Sequence, residues 1–363
     1  MTHENVNVTL KMIAEKAGVS IGTVDRALMG RSGIHPSTKE RVLEVARELG
    51  YKPNRFASAL GRKRIVRIGI VYSREPVGFY QDVDNGVDTA AAELAQYGVV
   101  VEKLYHASQN PAEQAEVLAK IDPALFDGLA VNSAGYASVH EINRLMREKL
   151  PVITFNTDAA ESSRLFFVGN DSLQSGRMGA ELLGRYLDGH GDVTVMGNFM
   201  KATPFSERFG GFCDVIHSEY PHIRLFPCAE CRSDAESAAQ NLREVIGQKP
   251  EIRGVFCTGH SSTMGAVRAL QEMDRRDIVL IGFDTGGGSL RALQEGWCDA
   301  LLFQDPFQQA YQAAHLLSRH ILEGWLPAQP LLHIDTSIVI RHNAAAYRKN
   351  DQHSGTLFYE RKF

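Results

Sequence analysis

From Val66 onward the chain alternates short apolar runs with helix-patterned segments, and this alternation limits its possible folds more than any other feature. The runs are Val66 to Tyr72, Val99 to Leu104, Gly128 to Asn132, Pro151 to Phe155, Val193 to Gly197, Val255 to Thr258 and Ile278 to Phe283. Each is nearly continuous in apolar residues, the pattern of a strand buried on both faces. Strands of that kind, separated by helices, form parallel sheets covered on either side. One sheet for the roughly 280 residues involved would outgrow a single core, which predicts two lobes. In such sheets ligands lie beyond the carboxyl ends of the strands, so the polar residues there are the candidates for chemistry.

Those strand ends carry Ser73, followed by Phe79 and Tyr80, then Asn132 and Ser133, then Phe155-Asn156-Thr157-Asp158. Further on stand Arg208 ahead of Phe209-Gly210-Gly211-Phe212, Gly259 and His260 after Thr258, Asp284 after Phe283, and Gln304-Asp305. The set suits a polyhydroxylated ligand. Phe79 and Tyr80 offer flat apolar faces to the C–H side of a sugar ring. Asn156, Asp284 and Gln304 supply paired acceptors or donors for vicinal hydroxyls, and Arg208 supplies a fork of five donors. Such a cleft rejects ligands without hydroxyls, because its buried polar groups would be left unpaired. Core packing is the competing role for each aromatic, more for Tyr80 than for Phe79. Asp158 can instead cap the segment after it, and His260 can bond a nearby backbone group.

The amino-terminal sixty-odd residues follow a helical rule. Leu10, Ile13, Ala14 and Ala17 fall at the spacing of one helix face. Gly18 follows as a stop, since glycine enters a left-handed turn without a Cβ penalty. Ser20 sits where an N-cap belongs, and the next helix buries Val24, Ala27 and Leu28. Two short helices about a tight glycine turn form a helix-turn-helix, a DNA-reading motif that short helix pairs in all-α cores can mimic. Ser37-Thr38-Lys39-Glu40 reads as a capping box, with Ser37 as cap and Glu40 at N3. It opens a third helix carrying Val42, Leu43, Val45, Ala46 and Leu49, closed by Gly50. In the following Tyr51-to-Arg64 stretch, Pro53 can start a helix of about two turns, marginal on its own in water.

Charge divides the chain in the same place. Through Arg62, ten basic side chains against six acidic ones give +4; the whole chain is −4, which leaves −8 for the remainder. Attraction for phosphate is thus concentrated at one end, and Arg62-Lys63-Arg64 and Arg67 add to it. The organisation that follows is a headpiece over 1–52, a hinge helix or linker over 53–64, a two-lobed ligand-binding and dimerisation domain over 65–341, and a tail over 342–363. The tail lacks the leucine heptads of a coiled coil.

The order and spacing of Thr9-Leu10, Ala14, Ala17-Gly18-Val19-Ser20, Thr23-Val24, Arg26, the Thr38-to-Tyr51 helix, Pro53-Asn54 and the Ala57-to-Leu60 segment resemble the lactose-repressor (LacI/GalR) family of bacterial transcription regulators. Roughly Arg64 to Arg341 resembles the type I periplasmic binding-protein fold of that family's effector domains and of ribose-binding proteins. The resemblance implies an all-α headpiece that reads the major groove through Thr9, Leu10, Ser20, Ile21, Gly22, Thr23, Asp25, Arg26 and Thr38. It implies a hinge entering the minor groove, with Asn54, Arg55, Ala57 and a wedge at Leu60. By the same correspondence Ser73, Phe79, Tyr80, Asn132, Asn156, Thr157, Arg208, Gly259, Asp284 and Gln304 match sugar-contacting positions, with Asp158 and His260 beside them. A homodimer on pseudo-palindromic double-stranded operator DNA, with operator affinity set by a sugar or polyol-like effector, is the implied assembly.

Several residues bear on how far this carries. Arg26 has the planar fork that suits guanine O6 and N7, and Leu60 is an apolar wedge of the kind that kinks DNA from the minor groove. Ile21 and Gly22 stand where polar side chains are common; isoleucine reads only methyls or shape, and glycine reads nothing. Asp25 stands where a small hydroxyl residue is usual. It can accept from cytosine N4 or form a surface ion pair with Arg26 or Lys11. Asn156-Thr157 stands where ribose binders use an acid and an arginine, and Gly259 with His260 replaces an asparagine. The ligand is therefore a sugar, a polyol, an inositol-like ring or a different small molecule.

Other function classes fit less well. No Gly-x-Gly-x-x-Gly follows the first strand, Gly286-Gly287-Gly288 lacks the P-loop lysine, and no Gly-x-Ser-x-Gly elbow occurs. The thirteen histidines form no His-x-x-x-His pair, so no catalytic, metal or cofactor site is expected. Five cysteines are an odd number, a poor match to a secreted disulfide framework. Cys228-Ala229-Glu230-Cys231 has no second close pair to complete a zinc site, which leaves a structural or incidental role ahead of redox or metal ones. Met1 to Asn7 is polar and no apolar run has the length of a membrane span, so a cytoplasmic location without a membrane partner is expected. A solute-binding protein of a transport system would share the ligand domain, but would need an export signal and no headpiece.

Overall fold

The computed structural model describes residues 9–28, 33–49, 65–75, 77–107, 110–198, 203–227, 229–231, 234–286 and 288–347. The chain divides into two compact units, Met1–Arg64 and Ile65–Phe363.

The first unit holds α1 (Leu10–Ala17), α2 (Ile21–Leu28) and α3 (Pro36–Glu48). Thr9 caps α1, its Oγ1 accepting from Met12 N at 3.3 Å. Gly18, at φ 64, ends the helix by turning its N–H back to Ala14 O and Glu15 O. Ser20 Oγ accepts from Thr23 N at 3.2 Å at the start of α2, as its position in the sequence predicts. The three helices close on Ile13, Ala14, Ala17, Val24, Ala27, Val42, Val45 and Ala46. The expected capping box at Ser37 does not form. Helix α3 starts at Pro36 with His35 as its N-cap, and Ser37 Oγ instead bonds His35 Nδ1 at 2.8 Å. Proline, with its φ preset and no N–H to satisfy, starts the helix before serine is reached. Gly50 and the hinge of 53–64, with Asn54, Arg55, Ala57 and Leu60, lie outside the described residues, as does the tail beyond Tyr347.

The second unit runs β1 (Val66–Ser73), α4 (Val77–Ala95), β2 (Val99–His106), α5 (Pro111–Ala119), β3 (Gly128–Val131), α6 (Ala137–Arg147), β4 (Val152–Phe155) and β5 (Phe167–Gly169). It continues with α7 (Ser172–Tyr186), β6 (Gly191–Asn198), α8 (Thr203–Glu219), β7 (Ile223–Leu225), β8 (Ala229–Cys231), α9 (Ala235–Gln248) and β9 (Ile252–Cys257). The last part is α10 (His260–Glu272), β10 (Val279–Phe283), α11 (Ser289–Glu295), β11 (Ala300–Phe303), α12 (Pro306–Glu323), β12 (Leu331–His333) and β13 (Ser337–Val339). One sheet has the order β12-β5-β4-β3-β1-β2, and the other β13-β11-β10-β9-β6-β7 with β8 beside β6.

All seven strands read from the apolar runs are present. The unanticipated ones, β5, β7, β8, β11, β12 and β13, have three or four residues, too few to carry a period. Among the described strands, only β13 runs antiparallel to its neighbour, β11. Alternation along a strand serves two cores at once: Ile68, Ile70 and Tyr72 of β1 pack with α4 and α12, whereas Val71 faces the opposite cluster with Leu118 and Ile142. The chain crosses from one sheet to the other three times, after β5, after β11 and between β12 and β13.

Candidate functional site

The carboxyl ends of β10 and β11 bring Asp284 and Gln304 together. Asp284 turns out of β10 at φ 64, while its N–H still bonds Leu302 O at 2.9 Å. Gln304 Nε2 donates to both Asp284 carboxylate oxygens, at 3.1 and 3.2 Å. From α8, Arg208 Nη2 donates to Gln304 Oε1 at 2.9 Å and Nη1 to Thr258 O at 2.8 Å. Its guanidinium stacks over the Phe283 ring, 4.1 Å from the centroid. Burial lowers the Arg208 pKa to about 10, so it stays charged at neutral pH. Burial raises the Asp284 carboxyl, against the opposing pull of His260, Arg208 and Gln304.

Backbone contact fixes the position of α8. A Cβ at Gly176 of α7 would lie 2.0 Å from Arg208 O, and one at Gly211 of α8 would lie 2.0 Å from Leu173 O. Only glycine lets the two helices approach this closely, and the approach sets where the guanidinium sits.

A narrow cleft opens beside Asp284, with a volume of about 10 Å³, room for about one water molecule as it stands. Gly78, Phe79 and Asp82 of α4 line it from one lobe, and His260, Asp284, Thr285, Gly286 and Phe303 from the other, with Pro306 at the crossover. Phe79, His260 and Asp284 thus meet as the sequence predicts, with Arg208 and Gln304 bonded behind Asp284. Burial lowers the His260 pKa, with Asp284 opposing, and its Nδ1 lies 3.4 Å from Ser289 Oγ. Gly259 caps α10, its N–H donating to Ser262 Oγ at 3.2 Å. Asp82, Thr285, Gly286, Phe303 and Pro306 were not singled out from the sequence. Asp82 had a signal, lying one helical turn after Phe79 and so on the same face.

Tyr80, Asn132 and Asn156 form a second, connected group. Tyr80 OH donates to Asn132 Oδ1 at 3.0 Å, and Asn132 Nδ2 to Asn156 Oδ1 at 2.9 Å. Asn156, at φ 59, donates through Nδ2 to Gln309 Oε1 at 3.1 Å. Tyr80 also packs in the core, its ring stacked 6.2 Å from Tyr72. Gln309 extends the chain, with Nε2 donating to Asn170 Oδ1 at 2.5 Å and Gln304 O at 2.6 Å. Asn170 Nδ2 in turn donates to Ile334 O at 2.8 Å and Thr336 Oγ1 at 3.0 Å. These amides join all three crossovers.

Three further candidates bond within the protein. Ser73 Oγ closes a turn with the Glu75 backbone, accepting from its N–H at 3.1 Å. The Thr157 carbonyl accepts from Ser133 N at 3.1 Å. Asp158 takes the structural alternative that the sequence left open: its carboxylate pairs with both Arg164 Nε and Nη2 and accepts from Thr154 Oγ1 at 2.6 Å and Ala159 N at 2.7 Å. A bidentate guanidinium holds that carboxylate in place.

On the first unit, α2 buries Val24 and Ala27 and exposes Ile21 (49%), Gly22 and Arg26, with Asp25 half-buried. Thr23 Oγ1 bonds Ser20 Oγ at 2.9 Å, while Leu10 and Thr38 are half-buried. Lys11 lies 4.0 Å from Glu15. Elsewhere, Cys231, Cys257 and Cys298 are buried free thiols, and Cys231 Sγ donates to Gly197 O at 3.1 Å. Cys228 lies outside the described residues. Among the described residues no cluster could hold a metal ion, and no helix is long and apolar enough to cross a membrane.

Residues 9–54 match the model of bacterial regulatory proteins of the lacI family, and residues 68–324 that of the periplasmic binding protein domain. The maltose regulon regulatory protein MalI of Escherichia coli (strain K12) is 28% identical over 276 residues, covering 74% of this chain and 77% of that protein. The probable HTH-type transcriptional repressor ExuR of Bacillus subtilis (strain 168) is 25% identical over 291 residues, 78% of this chain and 83% of its own. An ABC transporter solute binding protein from Burkholderia graminis C4D1M, solved in complex with D-arabinose, superposes with a TM-score of 0.73 at 19% identity, over 78% of this chain and 98% of that one. That likeness is one of fold. The chain thus belongs to the periplasmic binding protein domain family over most of its length and carries a lacI-family regulatory domain at its amino end.

Proposed function

We propose that this DNA-binding repressor acts in the cytoplasm as a homodimer on a pseudo-palindromic operator, and that a sugar or polyol in the inter-lobe cleft sets its operator affinity. The observation that carries this reading is Asp284 at the cleft wall, bonded to Gln304 with Arg208 behind it, and Phe79 lining the same cleft from the other lobe. Hydroxyls would meet the carboxylate, and the ring's C–H face would meet the phenyl. A ligand touching both lobes binds one lobe arrangement better than another, which is what shifts an equilibrium. A coupling of about 1–3 kcal/mol would change operator affinity roughly 5- to 150-fold. A dimer would read a pseudo-palindromic site with one headpiece per half-site. The named relatives are regulators rather than enzymes, and one solved relative in fold holds D-arabinose.

The test is fluorescence anisotropy of an operator selected from random DNA, titrated with sugars and polyols. Wild-type protein should bind and respond, whereas Asp284→Ala should bind DNA with the response lost. A response surviving in Asp284→Ala would move the pocket elsewhere.

A further inference from the structure

We propose that the cleft accepts only an uncharged polyol, a cyclitol or a ring-form sugar, and rejects carboxylated and phosphorylated sugars, with Asp82 and Asp284 facing the ligand from opposite lobes. The inference rests on reading the cleft as the effector site. Both carboxylates line it, and both are nearly buried, at 7% and 6% exposure, where salt screens them poorly. A carboxylate has about four lone-pair sites. Asp284, meeting Gln304 Nε2, still accepts from ligand hydroxyls.

Among the described residues that line the cleft there are two carboxylates and no lysine or arginine. His260 is held toward its neutral form by burial. The amino end of α12, at Pro306, is capped by Asp305, whose carboxylate accepts from Gln308 N at 3.1 Å. The nearby cation is Arg208, and both its terminal nitrogens already donate, to Thr258 O and Gln304 Oε1. Each of these nitrogens thus spends one N–H inside the protein, and Arg208 is not among the residues that line the cleft. Its Nε, on a side chain 3% exposed, has no hydrogen-bond partner among the described residues.

Calorimetry on the full-length protein with matched pairs tests this: D-glucose against D-glucuronate, and myo-inositol against myo-inositol monophosphate. A ligand anion about 8 Å from a carboxylate, at an effective dielectric near 20, should bind about 30-fold more weakly than its neutral counterpart. Asp82→Asn should shrink that ratio several-fold, and Asp284→Asn, read the same way, gives a second measure if the first variant folds poorly. An anion binding as tightly as its neutral partner, or a ratio unmoved in both variants, overturns the inference while leaving the cleft as the site. Binding of neither kind, or binding indifferent to Asp284→Ala, overturns the cleft reading and this inference with it.

Discussion

Asp284 carries opposite demands for stability and function. Its carboxyl is raised by burial, so the folded chain holds that proton more tightly than the unfolded chain. The stability it contributes is therefore present below the unfolded pKa and lost as pH rises through the folded one. At neutral pH the unliganded protein carries this cost, and ligand hydroxyls relieve it. Asp284→Asn should accordingly raise the melting temperature of the unliganded protein above neutral pH, measured by scanning calorimetry, while weakening the effector response. A lower melting temperature would mean that the bonds from Gln304 outweigh desolvation. Arg26, exposed on α2, belongs to the same scale. Arg26→Ala should relax base preference at one operator position by about 1–3 kcal/mol, read by binding to a set of single-substituted operators. A uniform loss across all sequences would make Arg26 a phosphate contact. Such candidates were legible at single positions because a strand end or an exposed helix face is a local property. For Asp158 that locality left ligand contact and a cap both open: Arg164 lies only six residues on, but the ion pair depends on how the loop after β4 closes.

Among the elements, α7 and α8 show how packing places chemistry. Gly176→Val would drive a branched side chain into the Arg208 carbonyl, and overpacking of this kind costs about 1–3 kcal/mol. Thermal unfolding should show the loss, and effector affinity should fall with it as α8 shifts. Gly247 of α9 makes the control, since a Cβ there meets nothing within 4 Å. Gly247→Ala should be neutral or stabilising by up to about 1 kcal/mol, with effector affinity unchanged. Sequence alone distinguished these glycines poorly, because each sits inside a helix and only the neighbour's distance tells them apart. The start of α3 failed similarly. Ser37 and Glu40 have the spacing of a capping box, but Pro36 sets the first turn.

At the scale of the whole molecule, the buried amides of Gln309 and Asn170 tie the three crossovers to the cleft floor. Removing Gln309 leaves several buried polar groups without partners, at about 1–3 kcal/mol each. Gln309→Leu should lower the melting temperature. It should also shrink the ratio of operator affinities with and without saturating effector toward unity, while direct effector binding survives. An unchanged ratio, measured by operator anisotropy in a folded variant, would show that lobe motion does not pass through these amides.

The sequence by itself determined the headpiece helices, the seven main strands and the polar residues that end them. These features are written in periods of two or 3.6 residues and in turn chemistry, which act within a few positions along the chain. Only the tertiary structure decided which of those polar residues meet. Arg208 reaches Gln304 across 96 positions, Asn156 reaches Gln309 across 153, and Asp82 joins Asp284 in one cleft from the opposite lobe. Partnerships over such separations depend on how two sheets and three crossovers pack, and no local pattern encodes that.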